Sequence, residues 1–309
     1  MPNWNNLLNE VQAASSVYDV IRRKYLRKLS ELTERNVIVY YLGWLQKGAM
    51  LGQGVTGFEL NDGDKTGFMS AVHGMDRSKG LDLLLHTPGG EIAATESLVN
   101  YLRAMFGTNI RAVVPELAMS AGTMVALACG EIVMGQHSSL GPIDPQIGGI
   151  PAHGVIEEFD RAAKEIKADP ANIPKWQPII AKYNPTLVGE CQKAIDWSNQ
   201  VVKDWLTSGM FAEDTDADTK AGRVLQELGD HALTLSHSRH ISLARARELG
   251  LKVVALEDDN TFQEAALTVH HACIQTLAGT NAIKVIENQD GVAFVQQIQL
   301  VAQPVQMPG

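Results

Sequence analysis

The sequence predicts an α/β protein built on a parallel sheet covered by helices. Two observations carry this. Short β-prone runs alternate with amphipathic helical stretches in the order strand, helix, strand, helix, strand between residues 37 and 134. The runs Val37-Ile38-Val39-Tyr40-Tyr41-Leu42 and Leu81-Asp82-Leu83-Leu84-Leu85 are nearly continuous rather than alternating, as in strands buried on both faces.

Residues 6–34 read as a helix, with Val17, Ile21, Tyr25, Leu29 and Leu32 at helical spacing and charge opposite them. The strand at 37–42 follows. Asp62-Gly63-Asp64 lacks the remaining ligand pattern of a calcium loop and reads as a turn before a helix over 64–75. The strand at 81–85 is stopped by Thr87-Pro88-Gly89-Gly90. Residues 91–106 form a helix, 110–114 a third strand, 120–128 a buried helix of small residues and 132–134 a fourth strand. Beyond Pro151 the chain turns helical. Helices are expected over 156–168, 185–206, 221–228, 242–249 and 259–276, with a proline-bearing loop at 169–178 and a late strand at 252–256. The tail, 303–309, is expected to be disordered.

Composition narrows the function classes. The chain has 309 residues and is 45% hydrophobic, so it can bury a sizeable core without staples. A net charge of -9 and the absence of a basic stripe exclude electrostatic support for nucleic-acid binding. One basic patch, Arg22-Arg23-Lys24 through Arg27-Lys28, reads as a solvated helix face, with peripheral membrane contact as the lesser alternative. Cys129, Cys191 and Cys273 are odd in number and widely spaced, which points to a reducing compartment rather than a disulfide framework. No secretory signal and no apolar run of about 20 residues is evident, so a cytoplasmic location is expected.

Three stretches carry chemistry. In His86-Thr87-Pro88-Gly89-Gly90-Glu91 the glycines let backbone N–H groups approach a ligand closely. In Ala118-Met119-Ser120-Ala121-Gly122-Thr123 a serine stands at a strand-to-helix junction. It serves either as a helix cap or as a nucleophile, with the N–H groups of Gly89 and Ala121 holding an oxyanion. The third stretch, Gly135 to Gln146, is a loop dense in Gly, Pro and polar residues. No HExxH, GxGxxG or phosphate-binding loop occurs, and no metal or cofactor is expected.

Together these stretches resemble the Clp protease/crotonase superfamily, which includes the Clp proteolytic subunit, signal peptide peptidase A and crotonase. The strings LDLLLHTPGGEIAATES, AMSAGTMVALA and SSLGPIDPQ look closest to the serine dehydrogenase proteinase group. The resemblance is densest over 37–152 and weaker to about 291. It implies a Clp/crotonase-type spiral of repeated βαβ units, arranged as an N-terminal helical extension (1–35), a catalytic core (36–152), a helical C-terminal part of the same domain (153–300) and a tail (301–309). It also implies a serine endopeptidase acting on peptides or unfolded proteins, with Ser120 as nucleophile, Gly89 and Ala121 as oxyanion hole, and a homo-oligomeric ring. Contacts between subunits are expected from the N-terminal and C-terminal helices.

The general base is open. The position of the Clp histidine is occupied by Asp144, which departs from a Ser-His-Asp pattern and suits an orienting carboxylate. Relatives with a Ser-Lys dyad use a buried, neutral lysine near the helix after the active-site loop. Lys193 is the first choice for that role, followed by Lys182, with Lys175 and Lys203 in the same region. His137 and a late base at His237 or His240 are weaker alternatives. The group His231, His237 and His240 and the pair His270 and His271 read first as polar packing or subunit-contact residues. Two rival functions are a catalytically degenerate scaffold and a crotonase-type acyl-CoA enzyme, which would need no nucleophilic serine.

Overall fold

A computed structural model describes residues 18–229 and 236–298. The expected tail, His231, and residues 6–17 of the first expected helix, Val17 among them, lie outside the described residues.

The sheet has seven strands. Its parallel part is formed by β1 (Asn36–Leu42), β2 (Leu81–His86), β3 (Ile110–Val114), β5 (Glu131–Met134) and β8 (Val253–Ala255). Two antiparallel strands, β9 (Ala282–Asn288) and β10 (Ala293–Gln297), extend it beyond β1, so the order is β8-β5-β3-β2-β1-β9-β10. A small second sheet joins β4 (Leu117–Ala118), β6 (Ser139–Leu140) and β7 (Ile241–Ser242).

The continuous apolar runs are explained by burial on both faces. In β1 the odd positions Val37, Val39 and Tyr41 pack with α1 (Tyr18–Thr33) and α9 (Asn260–Gly279). The even positions Ile38, Tyr40 and Leu42 belong to the larger core on the opposite face. That core includes residues of α2 (Asp64–Val72), α3 (Ile92–Phe106), α4 (Ala121–Leu127), α6 (Leu187–Ser208), α7 (Ala217–Gly229) and α8 (Leu243–Glu248). Between α4 and α6 runs α5 (Ala152–Ala168), which closes a smaller apolar cluster against α6 around Val155, Cys191 and Ile195. No helix of the described residues is long and apolar enough to cross a membrane.

The structure differs from the sequence reading in three places. The expected loop at 169–178 contains a helix, Ile173–Ile180. Pro174 sits in its first turn, where the missing N–H has no helical partner anyway, and buried Trp176 anchors it by donating from Nε1 to Glu165 (2.8 Å). The strands β9 and β10 had no counterpart in the reading. β9 carries two fully buried charges, which mask its apolar pattern. Lys284 Nζ lies 2.5 Å from Asp64 Oδ1, and Glu287 binds Arg22 and Arg23. The basic patch on α1 is therefore not wholly a solvated face, because Arg22 is buried and tied to Glu287, Thr276 and Asp19.

Candidate active site

Segments beyond the carboxyl ends of β2, β3 and β5, a common location for sites in open α/β sheets, converge on one cavity of about 620 Å³. It is lined by Pro88, Gly89 and Gly90 from the turn after β2, by Ser120, Ala121 and Met124, by Ile143 to Gln146, and by His237, among others.

Ser120 occupies the junction between β4 and α4. Its φ of 51° and ψ of -118° lie where residues other than glycine rarely sit, at a cost of about 1–3 kcal/mol. The chain turns sharply here, so that Ser120 lines the cavity at the head of α4, whose residues are all buried. Thr87 and the segment leading to Ser120 form a short parallel bridge, with Thr87 N–H donating to Leu117 O (3.1 Å) and Met119 N–H to Thr87 O (3.0 Å).

Two glycines permit this close approach. Gly89 has φ 107°, and a Cβ there would stand 2.6 Å from Ser120 Cβ and 2.9 Å from Ala121 N. A Cβ on Gly122 would stand 2.4 Å from the Thr87 methyl. Gly89 and Ala121 are thus brought together beside Ser120. In this structure the Gly89 N–H donates to Thr87 Oγ1 (3.1 Å), a local bond that an incoming oxyanion would have to replace.

Asp144 is buried, and its Oδ1 lies 2.8 Å from His237 Nδ1. Backbone pairing explains the encounter. β6 and β7 are antiparallel with Leu140 opposite Ile241, and Asp144 follows Leu140 by the same four residues by which His237 precedes Ile241. The loop holding Asp144 is pinned by Gly141 N–H to Thr123 Oγ1 (2.9 Å) and Ile143 N–H to Leu228 O (2.8 Å). Asp144 Oδ2 is buried without a partner, so the carboxylate is committed to His237 among the described residues. No hydrogen bond joins His237 to Ser120 in this structure, although both line the cavity. Such contacts often close only when substrate binds.

The lysines are not brought to this cavity. Lys193, the expected base, has a 75% exposed side chain paired with Glu190 at 3.0 Å and does not line the cavity. Lys175 pairs with Glu165, Lys203 with Asp218, and Lys182 is exposed. His137 and His240 are also exposed and do not line the cavity. The pairing of His237 with Asp144 has no local sequence signal, because the two lie 93 residues apart. The usable signal was the unmatched Asp144, a carboxylate in need of an imidazole.

Two archaeal proteins and one protein family are similar to this chain. The uncharacterized protein MJ0137 of Methanocaldococcus jannaschii is 31% identical over 233 residues, covering 75% of this chain and 73% of its own. A second protein of that organism, uncharacterized protein MJ1495, is 29% identical over 173 residues, covering 56% of this chain and 51% of its own. Residues 7–267 match the ClpP-like SDH-type serine proteinases, and the chain belongs to that family.

Proposed function

We propose that the chain hydrolyses peptide bonds by acyl transfer, with Ser120 as nucleophile and His237, oriented by Asp144, as general base. The observation that carries this reading is the His237–Asp144 pair in the cavity that also holds Ser120. His237 Nε2 takes the Ser120 proton as Oγ attacks the scissile carbonyl. Asp144 holds Nδ1–H and stabilises the imidazolium. The N–H groups of Ala121 and Gly89 stabilise the tetrahedral oxyanion, the latter exchanging its bond from Thr87 Oγ1. His237 then returns the proton to the leaving amine, and water activated by the same imidazole releases the acyl group.

An acyl-CoA enzyme relying on the backbone hole would need no nucleophilic serine, whereas here Ser120 is held at a positive φ in the cavity. We assign peptides or unfolded chains as substrate. We retain the ClpP-type spiral and a homo-oligomeric ring as parts of this reading, and light scattering of the purified chain tests the latter. The test of the chemistry is intact mass after treatment with a fluorophosphonate. One adduct on the native protein, absent from Ser120→Ala and His237→Ala but kept by Lys193→Ala, supports it. Loss of the adduct in Lys193→Ala with retention in His237→Ala overturns the choice of base.

A further inference from the structure

A second cluster of titratable side chains lies directly behind the Pro-Gly-Gly turn. His86 ends β2 on the face that carries Asp82 and Leu84 and is directed toward α9. Its ring is fully buried against Trp44 (4.4 Å between centroids) and Tyr41 (5.4 Å). Neither ring nitrogen has a hydrogen-bond partner, an arrangement that folded proteins rarely tolerate. Glu116, between β3 and β4, places Oε2 3.5 Å from His86 Nδ1 and 3.6 Å from His270 Nε2. One ligand atom from each of the three residues lies within 4.8 Å of the other two.

These separations are too long for good hydrogen bonds. The two imidazole-to-carboxylate separations are close to the roughly 3.3 Å edge of a tetrahedron of donors about 2.05 Å from a zinc ion. Burial disfavours the charged form of both imidazoles, and it also raises the Glu116 carboxyl above its ordinary value. Burial pushes the His86 imidazole down to about 3. His270 is driven well below its ordinary value by burial, and then by His86, His271 and His137. Neutral imidazole is the form that binds a metal. His270 Nδ1 lies 3.1 Å from Tyr41 Oη, and a bond from Nδ1–H to that oxygen leaves the Nε2 lone pair facing Glu116. The Glu116 side chain is 39% exposed, which gives an entry path.

We propose that His86 Nδ1, His270 Nε2 and Glu116 Oε2 bind a divalent transition-metal ion of the zinc class, with solvent completing its shell on the exposed side of Glu116. The donor set of two imidazoles and one carboxylate is one that zinc accepts. The ion would tie together three segments: the end of β2 that leads into Gly89, the segment that leads into Ser120, and α9. It would thereby hold the oxyanion turn against the nucleophile. This is a positioning role, and it does not depend on which reaction Ser120 performs.

The test uses the full chain stripped with a chelator and titrated with Co2+, with Zn2+ as competitor. One equivalent of Co2+ should give visible d–d bands of a nitrogen-ligated ion, and Zn2+ should abolish them. Zn2+ at about 100 times its Kd should raise the thermal midpoint by about 4 °C or more. Glu116→Ala and His270→Gln should each lose the bands and the shift. Glu116→Ala, on a partly exposed side chain, should keep the metal-free midpoint of the native chain. A native chain that takes up neither ion, or bands that persist unchanged in Glu116→Ala, would overturn the proposal.

Discussion

Asp144→Asn separates catalysis from architecture. Asp144 Oδ1 stands 2.8 Å from His237 Nδ1, which puts the centres of charge about 4 Å apart once the imidazolium forms. At an effective dielectric constant of about 20, that attraction is worth about 4 kcal/mol, or about 10³ in rate. Asparagine keeps the shape and removes the charge. It can also offer its NH2 group and force the imidazole into the wrong tautomer, so 10³ is a lower figure for the loss. Stability should respond differently. Asp144 Oδ2 is buried with no partner, and a neutral amide is cheaper to bury than a carboxylate. The partly exposed His237 can turn to solvent if the pair is lost. The assay is the second-order rate of fluorophosphonate labelling at fixed pH, read beside the thermal midpoint. Labelling about 10³-fold slower with a midpoint unchanged or raised is the expected result. A labelling rate within about threefold of the native protein would refute the role of Asp144, and so would a slowing that merely tracks a midpoint lowered by many degrees.

Ser120→Gly should be unreactive toward the probe yet more stable by about 1 kcal/mol, because glycine adopts the observed positive φ without strain; differential scanning calorimetry checks this. Gly122→Ala should destabilise by about 1–3 kcal/mol through the clash with the Thr87 methyl, and Thr87→Ser, which removes that methyl, should recover part of it in a double-mutant cycle. Lys193→Ala should leave labelling and midpoint within error, since an exposed ion pair within one helix contributes little. Burial pushes the Cys129 and Cys273 thiols up to about 12. Both therefore stay protonated at pH 8 and should resist iodoacetamide in the native state, reacting once guanidinium unfolds the chain.

The legibility of this chain follows from how local each signal is. β1, β2, β3 and β5 were readable because burial on both faces leaves an apolar run that needs no partner to interpret. Ser120 and Gly89 were readable because strain and close approach are local demands, met by a serine before small residues and by paired glycines. β9 was not, because Lys284 and Glu287 look like surface residues until Asp64 and Arg22 are brought to them from distant segments. Arg22 was misread for the same reason from the other side. The group formed by His86, Glu116 and His270 has no motif at all. Its members are separate residues of the motif turn, a strand connection and a helix, and the sheet register and the packing of α9 bring them together.

The same reasoning accounts for the base. In the Clp pattern the loop after the fourth strand supplies the histidine, and here that position holds Asp144. Read along the chain, the substitution looks like a loss of catalytic equipment. Under the proposed mechanism it is an exchange of roles, because the antiparallel pairing of β6 with β7 carries a second segment past the same corner of the cavity. That segment brings His237 to Asp144, and in the proposed mechanism the first is the imidazole base and the second the carboxylate that orients it. A histidine at position 144 would leave His237 without its acceptor and put two imidazoles where one charge-stabilised pair now sits. Asp144→His should therefore fail to restore a Clp-like arrangement in this chain. With His237→Asp added, the Nδ1–carboxylate contact becomes available again in the reverse order. Labelling of the double variant above that of Asp144→His alone would show that the corner, rather than either position in the chain, specifies the pair. Equal labelling of the two would show that the base must come from the β7 side.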